Sequence, residues 1–580
     1  MKPMSSNTFK LTFITAAIVS STTASAALYQ VVEVTPTSIT NAYKSSFGVA
    51  IQPGTAKDGL DVDNKLGCFD KAASNCDGSH FILAGETRSS ELSAGEAVDG
   101  LSFREEAPFG MDNRFIYIDS LDDFERYCNS QLRYATCDAW ASVRWTPWAS
   151  EVGGSNTPNA IAFLGTSSNT SVLVDETNNV NVVVNSLTSE GKAVGIKSTL
   201  GDVTGYRRNS VSGFVKGVNI TFTDTFQTRV WKTDDNYTVG SVSTKYTNNG
   251  DAFYTSQAAL WNSDGSLVQI NWGSAGISSV KNSHFAQGSM RDFVKVGSML
   301  YGVGYNTYET NSTNYMNAVV YSVNTMEIMT SSKWTSTPIA NATVRENGVS
   351  SGDLIYSNSV AVAVNKNLVA IGEAKRIGSR AYNGAASNRV FVVKDVRYPS
   401  ATYLSDGVFF DGAGGKAGGI NNYNEIVGQV DAESTREVNG KPRRKRAFIY
   451  PLDVDSTDKT RRGIFNNKSW WLDNLTNGGD YSDHNNQYRI IDATDINDAG
   501  VIAATAFKCD GGYDSTAHNA TCGNGTREES TVAVKLIPIA GATSDNIVRR
   551  GMDERATERK GAAVGLWALV LLGLFGFRRK

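Results

Sequence analysis

The chain has 580 residues, with 55 Lys and Arg against 58 Asp and Glu, and only 19% charged residues. That balance excludes a general nucleic-acid-binding surface, and the 41% hydrophobic content excludes a disordered chain. With 54 Gly and 11 Pro, the composition is that of a large, turn-rich β protein: several domains or one repeat array.

Residues 1–26 read as a signal peptide. Lys2 and Lys10 make a basic start, Leu11 to Val19 is a short apolar run, and Ala24-Ser25-Ala26 is an A-x-A site. Cleavage between Ala26 and Ala27 would leave a mature chain bound for an oxidising compartment. Residues 27–540 then form one all-β body.

Tyr29 to Gln52 supplies opening strands. In a closed ring the first of them pairs with Thr531 to Ile539 and completes the last sheet. Residues 53–150 are irregular and read as an insertion. Ser120 with Asp123 is a capping-box-like start. Leu121, Phe124, Cys128 and Leu132 then share one helical face, which predicts one short helix. Trp140, Trp145 and Trp148 follow as packing residues, with a sugar platform as the alternative.

Six cysteines, Cys68, Cys76, Cys128, Cys137, Cys509 and Cys522, in an exported chain predict disulfides. Fifteen pairings are possible, but the six fall into three local pairs. Each small loop would contribute about 2.5–3 kcal/mol in the chain-entropy model. No C-x-x-C or His pair points to a structural metal.

From about residue 180 a pattern recurs. Ile420-Asn421-Asn422-Tyr423-Asn424-Glu425-Ile426-Val427-Gly428 matches Ile496-Asn497-Asp498-Ala499-Gly500-Val501-Ile502. Leu187 to Gly195 is a third copy and Val364-Asn365 with Leu368 to Gly372 a fourth. Leu300 to Gly304 looks like the end of a fifth. Asn424, Gly500 and Gly191 occupy the turn, where a left-handed backbone is tolerated. The unit is strand, tight turn, strand.

A second element, a short apolar strand, alternates with it: Ala258 to Trp261, Arg229 to Trp231, Ala318 to Tyr321, Arg389 to Val392 and Ala447 to Tyr450. Ser263 to Gly265 and Ser405 to Gly407 read as hairpin turns. Such a unit cannot bury both faces alone, so neighbours must stack. A β-propeller-like array of six to eight blades follows, all-β. Trp470-Trp471 is expected to pack between blades. Lys441 to Arg446 is expected to be a solvated basic loop.

The pattern from Ala417 to Gly428, followed by Ala447 to Tyr450, resembles the HAF repeats of bacterial extracellular proteins. The resemblance spans roughly residues 180–540. As a whole the chain resembles a family of proteobacterial envelope proteins with this repeat and a C-terminal sorting tail. It implies no activity.

Residues 541–560 read as a charged linker and 561–580 as a membrane tail. Ala562 to Phe577 would span about 24 Å as a helix, short of a hydrocarbon core of about 30 Å. Arg578, Arg579 and Lys580 would stay cytoplasmic. The small residues Gly561 and Gly565, the short span and the basic end resemble the Gly-Gly-type sorting signals of Gram-negative bacteria. That resemblance implies export machinery and an intramembrane sorting protease as partners. The body would be tethered on the periplasmic side of the inner membrane, then released to the cell surface or beyond. The chain has no Gly-Gly pair itself. Permanent anchoring of a periplasmic module is the other reading. Without signal and tail, 50 basic and 58 acidic residues remain, a net charge of −8.

No catalytic constellation emerges. Gly348 to Gly352 matches G-x-S-x-G but lacks a following helix. His80, His284, His484 and His518 share no ligand spacing. Asp495, Asn497, Asp498 and Gly500 superficially resemble a calcium loop without its distal Glu, and Asp453, Asp455 and Asp458 form a loose acidic cluster. No cofactor is expected, and calcium is the one metal worth testing. The leading expectation is a non-enzymatic binding or structural propeller. The alternative is an exported glycosidase-like hydrolase with carboxylates in the central channel.

Overall fold

The computed structural model describes residues 27–553 apart from 58–62, 93–94, 107–119, 130–135, 168–169, 178, 205–206, 218–226, 235, 249–250, 274–276, 278, 282–283, 310–313, 343–358, 376–387 and 436–442. The signal peptide, the sorting tail, Leu132, the G-x-S-x-G stretch, Lys441 and Pro442 lie outside the described residues.

Seven antiparallel sheets follow one another along the chain and close into a β-propeller. Their innermost strands are Ser45–Ile51, Val180–Leu187, Gln227–Thr233, Gly288–Val296, Ser359–Val364, Gly415–Ile420 and Tyr488–Ile496, here blades 1 to 7. Each inner strand meets the inner strands of its two neighbours, and blade 1 meets blade 7. Among the described residues six blades have four strands and blade 2 has three.

Apolar side chains fill every gap between blades. Val427 and Ile449 of blade 6 pack with Ile490 and Ile502 of blade 7. Ile51 and Phe163 of blade 1 pack with Val501 and Ala533 of blade 7. The remaining five gaps are filled in the same way. A single blade would leave both faces wet, so burial, at about 25 cal/mol per Å² of apolar surface, drives closure.

The ring closes with the N-terminal strand. Tyr29–Glu33 pairs with Ser530–Pro538, Tyr29 opposite Pro538, as the outermost strand of blade 7. Ala27 to Tyr29 is buried, and the Ala27 amide donates to the Gly478 carbonyl at 3.2 Å.

The repeat has a backbone cause. Every inner strand carries a bulge where it pairs with the second strand. In blades 2 to 6 the residue just before the bulge lies opposite a glycine: Gly195, Gly240, Gly304, Gly372 and Gly428. The bulge pushes a carbonyl of the inner strand toward that position. A Cβ at Gly304 would stand 2.0 Å from the Ser289 oxygen, and one at Gly428 2.2 Å from the Lys416 oxygen. The Val-Gly ending of the repeat is therefore the footprint of the bulge. Gly240 fills the double-length gap that the sequence left between Gly195 and Gly304.

Three expectations need correction. Arg229 to Trp231 is not a third strand but part of the inner strand of blade 3, where Trp231 sits at the bulge. Ser405 to Gly407 joins blade 5 to blade 6 and is no hairpin, whereas Ser263 to Gly265 turns within blade 3. Among the described residues the irregular region holds two α-helices, Leu121–Tyr127 and Cys137–Val152. Ser120 caps the first by accepting from the Asp123 amide. The second was missed because its Pro147 and three Trp residues obscure a helical stripe.

Blade 1 splits the irregular region into two insertions, one before and one after its second strand, Leu83–Arg88. The pairs Cys68–Cys76, Cys128–Cys137 and Cys509–Cys522 are all formed, and all pin loops. Trp140 and Trp148 pack with Phe124 around Cys128–Cys137.

Candidate functional site

The seven inner strands enclose a channel of about 1070 Å³. We call the end where these strands begin the near mouth, and the end where they finish the far mouth. The wall mixes apolar surface with charged side chains, and its two ends are built differently.

The second insertion of blade 1 crosses the near mouth and sends Arg104, Glu105 and Glu106 into it. Glu106 is buried, accepting from Arg207 at 2.7 and 2.9 Å, from Arg229 at 3.0 Å and from the Ser243 hydroxyl at 2.7 Å. Glu105 pairs with Arg291 and accepts from the Tyr305 hydroxyl at 2.5 Å. Arg104 reaches back to Glu86 and to Asn185 at 2.8 Å. Burial alone would raise the Glu106 carboxyl, but Arg229 and Arg207 hold it below the ordinary range. Burial brings the Arg291 guanidinium down to about 10. It stacks on Trp231, 3.4 Å from the ring centre.

The far mouth is ringed by the turns that the repeat encodes. Asn365 donates to the Asn421 carbonyl at 2.9 Å, Asn421 to that of Asn497 at 3.1 Å, and Asn497 to that of Gln52 at 3.0 Å. Gln52 stands at the corresponding place in blade 1 and donates to the Ser189 carbonyl at 2.8 Å. Each link joins one blade to the next, from blade 5 through blade 7 to blade 2. The same Asn oxygens close their own turns: Asn421 accepts from the Tyr423 and Glu425 amides, both at 3.0 Å. Glu425 in turn is held by Arg461 at 2.7 and 2.9 Å, both side chains 1% exposed.

Immediately after the bulge, two inner strands place an aspartate at equivalent positions. Asp292 accepts from its own neighbour Phe293 at 2.9 Å and from Val364 of blade 5 at 3.0 Å. Asp495 accepts from Ile496 at 2.9 Å and from Ile51 of blade 1 at 3.0 Å. Burial raises both carboxyls above the usual range, and Lys232, from the equivalent place in blade 3, offsets part of the rise. For Asp495 the Asp292 charge adds to it.

Asp495, Asn497 and Asp498, which resembled a calcium loop, are thus taken up by blade-to-blade bonds, Asp498 accepting from Asn422 at 2.8 Å. Asp458 caps the helix Lys459–Ile464, and Asp453 faces Arg462. No group of three or more His, Cys, Asp or Glu suited to a metal ion occurs among the described residues. The described part of the basic run, Arg443 to Arg446, is not a solvated loop. Arg443 and Lys445 close on Asp431, and the buried Arg446 faces Asp473 at 2.9 Å. Trp470 packs against blade 7, as expected. Part of the charged linker is anchored as well: Arg550 is buried and donates to the Asp473 carbonyl at 2.7 Å.

Lys232, Arg291, Asp292 and the Arg104–Glu106 segment escaped sequence reasoning. Arg291 occupies a bulge position and Lys232 and Asp292 the position just after one, places that become visible only when the inner strands are aligned on their glycine partners. Nothing local marks Arg104 to Glu106.

No helix among the described residues is long and apolar enough to cross a membrane. The chain is similar to several solved structures at low scores. The β-propeller domain of the Trilobed protease from Pyrococcus furiosus is 10% identical over 52% of this chain and 75% of that one, with a TM-score of 0.27. A Cellvibrio cellulosa α-L-arabinanase is 11% identical over 46% and 88%, with a TM-score of 0.22. A Trypanosoma rangeli sialidase is 8% identical over 88% and 57%, with a TM-score of 0.29. At these scores the fold rests on the strand pairing itself. No match is found among curated proteins. Residues 254–580 match the family described as "Protein of unknown function (DUF3466)", and the chain belongs to that family.

Proposed function

We propose that this protein is an exported cell-envelope protein that binds a polar ligand in its propeller channel without covalent chemistry. One observation carries the reading. The channel holds about 1070 Å³, is walled by all seven inner strands, and sets charged side chains among apolar ones along its wall. Such a space suits a ligand of several sugar units or similar size. The two aspartates with raised carboxyls already accept two amide N–H bonds each, which marks them as blade clasps. Export rests on the signal-like start and on the resemblance of residues 561–580 to a sorting tail. The HAF-like repeat fits an extracellular setting.

The test is native mass spectrometry of the protein taken from the envelope of its own host. A bound small molecule is expected on the wild type and lost from an Ala363→Trp variant, whose new ring intrudes into the channel. Absence of any adduct, or an adduct that survives the block, would refute the binding site. Intact mass and cell fractionation give the ends and the location; a cytoplasmic full-length chain would refute export.

The second reading is a glycosidase-like hydrolase. Its support is that burial raises Asp292 and Asp495, two carboxyls that face the channel from blades 4 and 7. It predicts release of reducing ends from envelope glycans by the wild type and none by Asp292→Asn.

A further inference from the structure

The stretch Val548 to Asp553 does not trail off the propeller; it is gripped from two sides. On one side stand the short helix Leu472–Leu475 and the turn after it. Asn477 donates to the Val548 carbonyl at 3.1 Å, the Arg550 amide donates to Asn474 Oδ1 at 2.8 Å, and the Arg550 guanidinium donates to the Asp473 carbonyl at 2.7 Å. On the other side stands the loop closed by Cys509–Cys522. Arg550 donates to its Thr516 carbonyl at 2.9 Å, and the His518 amide donates to the Gly551 carbonyl at 2.9 Å. Asn519 exchanges two hydrogen bonds with the main chain of Asp553, at 2.7 and 2.8 Å.

His518 sits where the two jaws meet and is 5% exposed. Its partners fix its tautomer. Asn474 Oδ1 accepts from the Arg550 amide, so the same oxygen, 3.1 Å from His518 Nε2, must accept from that nitrogen too. The neutral ring therefore turns a bare Nδ1 toward Asp473 Oδ2 at 3.6 Å, and Nδ1 makes no hydrogen bond among the described residues. The carboxylate is already engaged: Oδ1 accepts from the Ile490 amide at 2.7 Å, and Oδ2 faces Arg446 at 2.9 Å. The other charges around the ring are cationic. Arg446 comes from the third strand of blade 6, and Arg550 from the gripped stretch itself. Arg489, from the inner strand of blade 7, donates to the Ala517 and Ser515 carbonyls at 3.0 Å. Arg444 reaches the His518 carbonyl at 3.4 Å and is paired with Glu433. Glu529 pulls on Arg489 and is held by the Tyr513 hydroxyl. A proton on Nδ1 would add a fourth buried cation to Arg446, Arg489 and Arg550, with Asp473 as the one carboxylate in ion-pair reach of the ring among the described residues.

We propose that His518 is an acid-sensitive latch on the C-terminal stretch. Neutral, it lets the two jaws close on Val548 to Asp553; protonated, it repels Arg446 and Arg550 and lets the stretch go. The inference does not depend on the channel reading. Burial, joined by Arg446 and Arg550, holds the ring below its ordinary value of 6.5 against the pull of Asp473. The same crowding, after burial, brings Arg550 down to about 10. A histidine lowered on docking adds stability that is full above about 6.5 and is lost as pH falls from there to the docked value. Once released, the six residues add about 20 Å of extended chain between the body and residues 554–580.

The test is hydrogen exchange of the full chain, read by mass spectrometry at pH 7.5 and pH 5.0 and corrected for the intrinsic rate. In the wild type, protection of residues 548–553 is expected to fall about tenfold at pH 5.0, while the strand Ile502–Lys508 keeps its own. His518→Gln keeps a donor for Asn474 and cannot take the charge, so it should protect the stretch equally at both pH values. An equal fall in His518→Gln, no fall in the wild type, or a parallel fall in Ile502–Lys508 overturns the proposal. If His518→Gln does not fold, the wild type decides alone. Of its four histidines, one ring must titrate below 6.5 in nuclear magnetic resonance, with the midpoint at which the stretch lets go. The absence of such a ring overturns the latch.

Discussion

The side-chain amide of Asn421 donates to the main-chain carbonyl of Asn497 at 3.1 Å, across the boundary between blades 6 and 7. Its oxygen meanwhile accepts from the Tyr423 and Glu425 amides of its own turn. One side chain therefore shapes a hairpin and fastens it to the next blade, which explains why Asn recurs at that place.

Asn421→Ala should lower stability by about 2–3 kcal/mol, because buried amides and a carbonyl lose their partners together. Asn421→Asp should do worse: it keeps the acceptor, loses the donor and sets a second carboxylate beside Glu425. Denaturant midpoints of the three proteins check this ranking. Equal midpoints would show that the ladder contributes nothing.

The glycines opposite the bulges should not tolerate a methyl group. Gly304→Ala and Gly428→Ala each place a Cβ within 2.0–2.2 Å of a main-chain oxygen, and each should cost about 1–3 kcal/mol or more. Gly463 lies in the helix Lys459–Ile464 with nothing within 4 Å of its absent Cβ. Gly463→Ala should be neutral or stabilising by up to about 1 kcal/mol. Thermal melts of the three variants separate a steric demand from a general preference for glycine.

Closure by the N-terminal strand predicts the effect of truncation. Removing residues 27–34 takes the outermost strand from blade 7 and exposes the edge of Ser530–Pro538. A bare strand edge invites pairing with other chains. The truncated protein should melt several degrees lower and form oligomers in size-exclusion chromatography. A monomer with unchanged melting would refute the role of the strand.

Acid should loosen the near mouth. Glu106 is held below its ordinary value by Arg229 and Arg207, despite burial. A carboxylate lowered on folding adds stability above its unfolded value of about 4.3. That share is lost as pH falls through the lower folded value. Wild type should therefore lose more stability between pH 7 and pH 3 than Glu106→Gln, which lacks the charge throughout. Melting temperatures of both proteins at the two pH values read out the difference. Equal losses would show that the Glu106 anchor does not respond to acid.

The sequence alone determined that sheets repeat, that they must stack, and that the first strand returns to the last sheet. These are local facts: Asn and Gly at turns, apolar alternation, and a unit with two faces to bury. It determined the cysteine pairs for the same reason, since each lies within 13 residues. It also marked Asn421 and Asn497 without saying what their side chains do. Only the tertiary structure decided that the ring has seven blades, because Gly85, which lies opposite Gly48 at the bulge of blade 1, and Gly240 carry no recognisable Asn turn before them. Only it buried Arg443 and Arg446, which look like a solvated run until Asp431 and Asp473 arrive from elsewhere in the chain. The channel chemistry was likewise invisible. Arg291 meets Glu105 across 186 positions, and Asp495 meets Ile51 across 444. Contacts between residues so far apart leave no periodicity in the chain, because closure of the ring alone brings them together.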